Sequence, residues 1–125
     1  MILKVKRLEI AVLVLHMSIM RKNIKRGFKS NYGRDEGEEV FRSFESVKTN
    51  LGTAFTALED DNKETELHFN AIEVNTLSSF VDWYTVEVEV TLEAAGKKIK
   101  ETDQEHLNTL KEVKRKIDEM KQQYS

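Results

Sequence analysis

The most regular hydrophobic spacing in the chain covers Val40, Phe44, Val47, Leu51, Phe55 and Leu58, in steps of three and four. That pattern predicts one face of an α-helix of roughly 22 residues, with a narrow seam suited to another long helix. Asp35 and Glu38 have the capping-box spacing that opens such a helix, and Glu59-Asp60-Asp61-Asn62-Lys63 closes it. Upstream, Leu8, Val12, Leu15, Ile19 and Ile24 share one broad helical face, with Phe28 following. A helix over about 5–28 is expected there, then a loop at Lys29-Ser30-Asn31-Tyr32-Gly33. Downstream, Asp61 with Glu64 repeats the capping spacing, and Leu107, Leu110, Val113, Ile117, Met120 and Tyr124 form a helical seam.

The stretch between is ambiguous. Tyr84, Val86, Val88, Val90 and Leu92 alternate with Thr85, Glu87, Glu89, Thr91 and Glu93, which is strand periodicity in strand-favouring residues. Yet Leu67, Ala71, Val74, Leu77, Val81, Tyr84, Val88, Leu92, Ala95 and Ile99 keep a three/four step through the same residues. Local propensity is the weaker witness over so long a window. The pattern therefore predicts an all-α chain, an elongated antiparallel helical hairpin with an additional N-terminal helix. Residues 1–33 form the basic N-terminal helix and loop. Residues 36–124 form the hairpin: helix 36–59, turn 60–63 and long helix 64–122. In it, the seam from Val40 to Leu58 meets Leu67, Ala71, Val74, Leu77 and Val81. The alternative is α+β with a small antiparallel sheet at 66–100.

Composition sharpens this. The chain has 125 residues, one ordinary domain, with no proline, no cysteine and five glycines. Such sparse turn chemistry favours long uninterrupted elements. The absence of cysteine excludes disulfide scaffolds, thiolate metal sites and thiol nucleophiles. The formal net charge of −2 hides a segregation. Residues 1–35 carry nine basic and two acidic groups, residues 36–96 three and fourteen, and residues 97–125 eight and six. Neutralisation within the chain is the simplest consequence. The basic segment has too few aromatics for a single-strand stacking platform. Its apolar run from Ile10 to Leu15, broken by Glu9 and His16, has no small-x-small cleavage site after it and is shorter than a bilayer span.

No constellation carries chemistry. His16, His68 and His106 lack metal-ligand spacing, no Gly-rich phosphate loop or Gly-x-Ser-x-Gly occurs, and Ser78-Ser79 has no adjacent base. No catalytic, cofactor-binding or metal-binding residue is expected, and no cofactor.

Leu92-Glu93-Ala94-Ala95-Gly96-Lys97-Lys98-Ile99-Lys100-Glu101-Thr102-Asp103-Gln104-Glu105 resembles the second-helix end of the W-x-G helical-hairpin family of small type VII secretion substrates. In that family small Ala/Gly positions precede an aromatic-x-x-x-acidic export motif, whose places Ile99 and Asp103 take here. The turn 60–63 has no Trp-x-Gly, so the likeness is to the toxin-partner branch that lacks it. The resemblance implies an antiparallel hairpin that pairs with itself or a partner into a four-helix bundle.

The function expected is that of a non-enzymatic interaction protein, a helical partner or adaptor, with a small type VII secretion-associated partner as its specific form. Phe41, Phe69, Phe80, Trp83 and Val86 are more apolar surface than a two-helix hairpin can hide, and so are its expected contact residues. The partner is a protein or a second copy; a small-molecule substrate, nucleic acid and a membrane surface are not expected. The alternative is a small phage-type inhibitor or nucleic-acid mimic acting through the acidic 36–96 surface. The expected location is cytoplasmic, or outside the cell by export without a cleavable signal peptide.

Overall fold

The computed structural model describes residues 1–96 and 100–123. In chain order they form β1 (Ile2–Lys6), α1 (Arg7–Tyr32), α2 (Arg34–Ala57), β2 (Glu64–His68), α3 (Ala71–Ala95) and α4 (Glu101–Gln123). The protein is mostly all-α, with four helices and a two-stranded antiparallel sheet among the described residues. The alternating stretch at 84–92 lies within α3, so the three/four register prevails over local strand preference.

Three expectations need correction. Residues 64–122 are not one helix. Residues 64–68 pair antiparallel with β1, Ile2 opposite His68 and Lys6 opposite Glu64. Leu3 and Val5 on β1 are buried, while Glu64, Glu66 and His68 on β2 face water. The period-two alternation of Glu64-Thr65-Glu66-Leu67-His68 suits that edge, and a helix there would strip the ladder from β1. The next helix opens instead at Asn70, whose side chain accepts from the Glu73 amide at 2.8 Å while Glu73 accepts from the Asn70 amide at 3.0 Å. It ends at Gly96, which has φ +57°, a conformation open to glycine, so α3 and α4 are separate helices.

Second, the additional N-terminal helix is present as expected, but it is central and not peripheral. Ile10, Leu13 and Met17 are fully buried at the centre of the core. The face that α1 buries differs in part from the one expected: Val12 and Ile24 are buried as expected, but Ile10, Leu13 and Met17 join them, whereas Leu8, Leu15 and Ile19 are exposed. Third, the expected loop at 29–33 shrinks to Gly33, with φ +81°, because α1 stays helical through Tyr32. Gly37 then crosses α1 at backbone contact. A Cβ there would lie 2.8 Å from the Phe28 carbonyl oxygen.

The helices form two antiparallel hairpins packed on one another. In the first, the Arg7 Nε donates to the Leu58 carbonyl at 2.9 Å and its guanidinium covers the Phe55 ring at 3.9 Å. Arg21 pairs with Glu45 nearer the Gly33 bend. The Arg7 contact satisfies a carbonyl that the end of α2 leaves without a helical partner. In the second hairpin, Lys111 pairs with Glu89 at 2.9 Å and Lys114 with Asp82 at 3.5 Å. The hairpins meet where α2 faces α3 and where α1 faces α4. Thr76 donates to Ser43 at 3.0 Å in the first contact, and Lys116 donates to Glu9 at 2.6 Å in the second. Phe44, Val47 and Leu51 on α2 are buried as the seam predicts, with Phe41 buried and Val40 half-exposed beside them. Val74, Leu77 and Val81 face them from α3, but Leu67 lies on β2 and Ala71 is exposed. On α4, Leu107, Leu110, Val113, Ile117 and Met120 are all buried.

Candidate functional site

Four helices hide more than two can, and this decides the fate of the expected contact residues. Phe41, Phe69 and Phe80 are buried in the core. They are structural, and the expectation of one exposed aromatic stripe containing them is corrected. Trp83 and Val86 do face water, at 43% and 52% exposure, and Val90 joins them at 59%. Their spacing of three and four places all three on one line of α3, directed away from the buried Leu77, Val81 and Leu92. Sequence reasoning missed Val90 because it was absorbed into the strand-like alternation. Its step from Val86 was the available signal.

A second outward line runs along α1 through Leu8, Leu15 and Ile19 and then reaches Lys22 and Arg26. This too was legible. The line through Ile10, Leu13, Met17, Met20 and Ile24 meets no charge, whereas the Leu8 line becomes basic after Ile19. Between the two helices lies a groove. One cavity, of about 380 Å³, is lined by His16 and Met20 from α1, by Trp83, Tyr84, Glu87 and Val88 among others from α3, and by Asp103 and His106 from α4. Another, of about 360 Å³, is lined by Asn23, Ile24, Gly27, Phe28 and Tyr32 against Ser79, Phe80 and Trp83. Trp83 lines both cavities.

The first cavity brings together residues the sequence keeps 90 positions apart. His16 Nδ1 lies 2.7 Å from the Tyr84 hydroxyl, and His16 Nε2 lies 3.1 Å from His106 Nδ1. A consistent neutral chain has the Tyr84 O–H donating to His16 Nδ1 and His16 Nε2–H donating to His106 Nδ1. Burial lowers the His16 pKa below 6.5, the neighbouring His106 lowers it further, and Asp103 opposes both. Burial likewise raises the Tyr84 hydroxyl above its usual 10.0. Because folding favours neutral His16, its contribution to stability is complete above pH 6.5 and is lost as pH falls through the lowered folded value. Urea titrations at pH 7.5 and 5.5 are expected to show a loss of stability in acid that His16→Phe reduces. An unchanged acid slope in that variant would remove His16 as its source.

The charge segregation is partly resolved inside the molecule. Lys4 pairs with Glu66, Arg7 with Asp61, Arg21 with Glu45, and Lys116 with both Glu9 and Glu64. What remains at the α1–α2 bend is mixed, with Asp35, Glu36, Glu38 and Glu39 beside the cations there. There Lys25, Lys29, Arg34 and Arg42, with Glu38 and Phe41, line a cleft of about 490 Å³. On the outer face of α3, Glu87 and Glu93 form no ion pair among the described residues, and neither do Lys22 and Arg26 on α1.

Of the two export-motif-like positions, Asp103 is exposed in the first turn of α4 and Ile99 lies outside the described residues. Among the described residues no group of three or more His, Cys, Asp or Glu side chains is placed to hold a metal ion. No described helix is long and apolar enough to cross a membrane. Compared with known proteins, the chain matches no family model, no curated protein and no solved structure.

Proposed function

We propose that the protein is a non-enzymatic helical interaction module that pairs with another helical chain across the outer face of α3. The observation that carries this is the line Trp83, Val86 and Val90, three large apolar side chains spaced to meet one helix and left in water outside the core cluster. Glu87 and Glu93 flank that line, so the complementary helix carries apolar residues with a basic rim. The resemblance around 92–105 supports the same mode of pairing, and its specific form is a small type VII secretion-associated partner of a larger protein. The inhibitor reading, acting through the acidic 36–96 surface, has less behind it. Glu45, Asp61, Glu64, Glu66, Asp82 and Glu89 are already engaged by cations of the same chain.

The test compares wild type with Val86→Glu/Val90→Glu as bait in extracts of the native host. Both side chains are exposed, so the double variant is expected to keep its stability within roughly 1 kcal/mol while losing the captured helical protein. Trp83 is the single tryptophan, and its emission is expected to shift to the blue on capture. Equal capture by both baits, with no shift in emission, would sink the proposal.

A further inference from the structure

The geometry points to a second copy of this chain as the occupant of the outer α3 face, docked by its α1. This deepens, and rests on, the proposal that the Trp83 line is a pairing surface. Two unpartnered apolar lines exist on one molecule, Leu8, Leu15 and Ile19 on α1 and Trp83, Val86 and Val90 on α3. Each is uncovered in its own fold, with Ile19 at 61% exposure and Val90 at 59%. The lines lie on the two helices that wall the groove, α1 on one side and α3 on the other, and Trp83 itself lines both of its cavities.

Their lengths match what one helix offers another. At 1.5 Å per residue, Leu8 to Ile19 spans roughly 16 Å and Trp83 to Val90 roughly 10 Å. Their charges are opposite. The α1 line continues into Lys22 and Arg26, and the α3 line is bordered by Glu87 and Glu93, all four without an ion pair among the described residues. Two α1 faces set against each other would oppose cations, and two α3 faces would oppose carboxylates. Only α1 on α3 covers both apolar lines and neutralises both rims. Because α1 and α3 wall one groove, a two-fold axis through it makes the contact twice, α1 on the partner's α3 and α3 on the partner's α1. A single self-complementary patch of this kind closes as a dimer instead of extending into a filament.

Such a contact also explains the near-neutral total. Ion pairs between different parts of the fold absorb part of the opposite charge inside each copy, and Lys22 and Arg26 on one face and Glu87 and Glu93 on the other are left to meet across the contact.

Sedimentation equilibrium on the full chain across a concentration series tests this. Wild type is expected to dimerise, with the dimer weakened by salt. Ile19→Glu and Val90→Glu, one on each face, are each expected to yield monomer with unchanged helical circular dichroism. Glu87→Lys/Glu93→Lys is expected to weaken the dimer at least about tenfold through like-charge contacts with Lys22 and Arg26. Adding Lys22→Glu/Arg26→Glu to that variant is expected to restore it to within about threefold of wild type, since the opposite charges then face one another again. Two results overturn the second copy: a wild type that stays monomeric at ~200 µM, and a fourfold charge-reversed variant no tighter than its twofold parent. A monomer whose host partner is still lost on Val86→Glu/Val90→Glu leaves the pairing surface standing without self-pairing. A dimer indifferent to Val86, Val90 and Ile19 overturns both.

Discussion

Phe44→Ala is expected to remove about 3–5 kcal/mol of stability, the range for truncating a fully buried aromatic. Phe44 is completely buried on α2 and touches three other rings: Phe41 at 5.9 Å, Phe80 at 5.8 Å and Phe28 at 6.5 Å between centroids. These rings come from α1, α2 and α3, so the side chain joins both hairpins at their shared face. Each edge or offset contact adds roughly 0.5–1.5 kcal/mol beyond the area buried. The cavity has little means of collapse, because Gly37 already holds the α1 and α2 backbones in contact about two turns away. Against a total of about 5–15 kcal/mol, the loss is a large fraction. The melting temperature is expected to fall by roughly 10–20 °C, read by circular dichroism at 222 nm. Trp83→Ala, also an aromatic truncation on α3 but at an exposed position, is the internal control and is expected to cost less than about 1 kcal/mol. Equal losses in the two variants would overturn the placement of the core.

Lys116→Met is expected to cost about 3–5 kcal/mol, because it strands a buried carboxylate. Glu9 and Lys116 have side chains only 7% and 12% exposed, with Nζ 2.6 Å from Oε1. Glu9 also accepts from the Lys6 amide at 2.8 Å, so the same carboxylate opens α1 and ties it to α4. Burial pulls the Lys116 ammonium down, but the hydrogen bonds and charges of Glu9 and Glu64 outweigh it and leave the pKa raised. Its stabilisation is therefore present below the ordinary lysine value of 10.5 and is lost only as pH rises through the higher folded value. Adding Glu9→Gln to Lys116→Met removes the stranded charge while keeping an acceptor for the Lys6 amide. The double variant is expected to recover more than half of the loss in urea denaturation, the signature of direct coupling. Additive losses would show that the two groups do not depend on each other.

Much of the helical content was legible because periodicity is informative when a helix is apolar on one side only. On α4, every seam residue from Leu107 to Met120 is buried, since the remaining positions are charged or polar. On α2 the same logic placed Phe44, Val47 and Leu51. It held only for Val12 and Ile24 on α1, where apolar residues occupy two faces. The Leu8 line and the Ile10 line are both plausible interiors until the charges after Ile19 are taken as part of the pattern. It was strained on α3 for a related reason. Tyr84, Val86, Val88 and Val90 surround the helix almost completely, so the buried side is set by where α2 and α4 stand. The site was less legible still. Trp83 and Val86 could be named from the sequence, but Phe41, Phe69 and Phe80 were assigned to the same surface because a two-helix hairpin was expected to have no room for them.

By itself, then, the sequence determined an all-α chain of long elements free of proline and thiol chemistry, with opposite charges placed where they could meet. Tertiary structure alone decided that residues 1–33 belong to the core, that 64–68 leave the helix to pair with 2–6, and that His16 reaches Tyr84 and His106. The reason is physical. Helical spacing is a local constraint between residues a few positions apart, whereas the choice among several apolar faces, and the pairing of a strand or a histidine with groups 60 to 90 residues away, depends on which surfaces are simultaneously available to be buried.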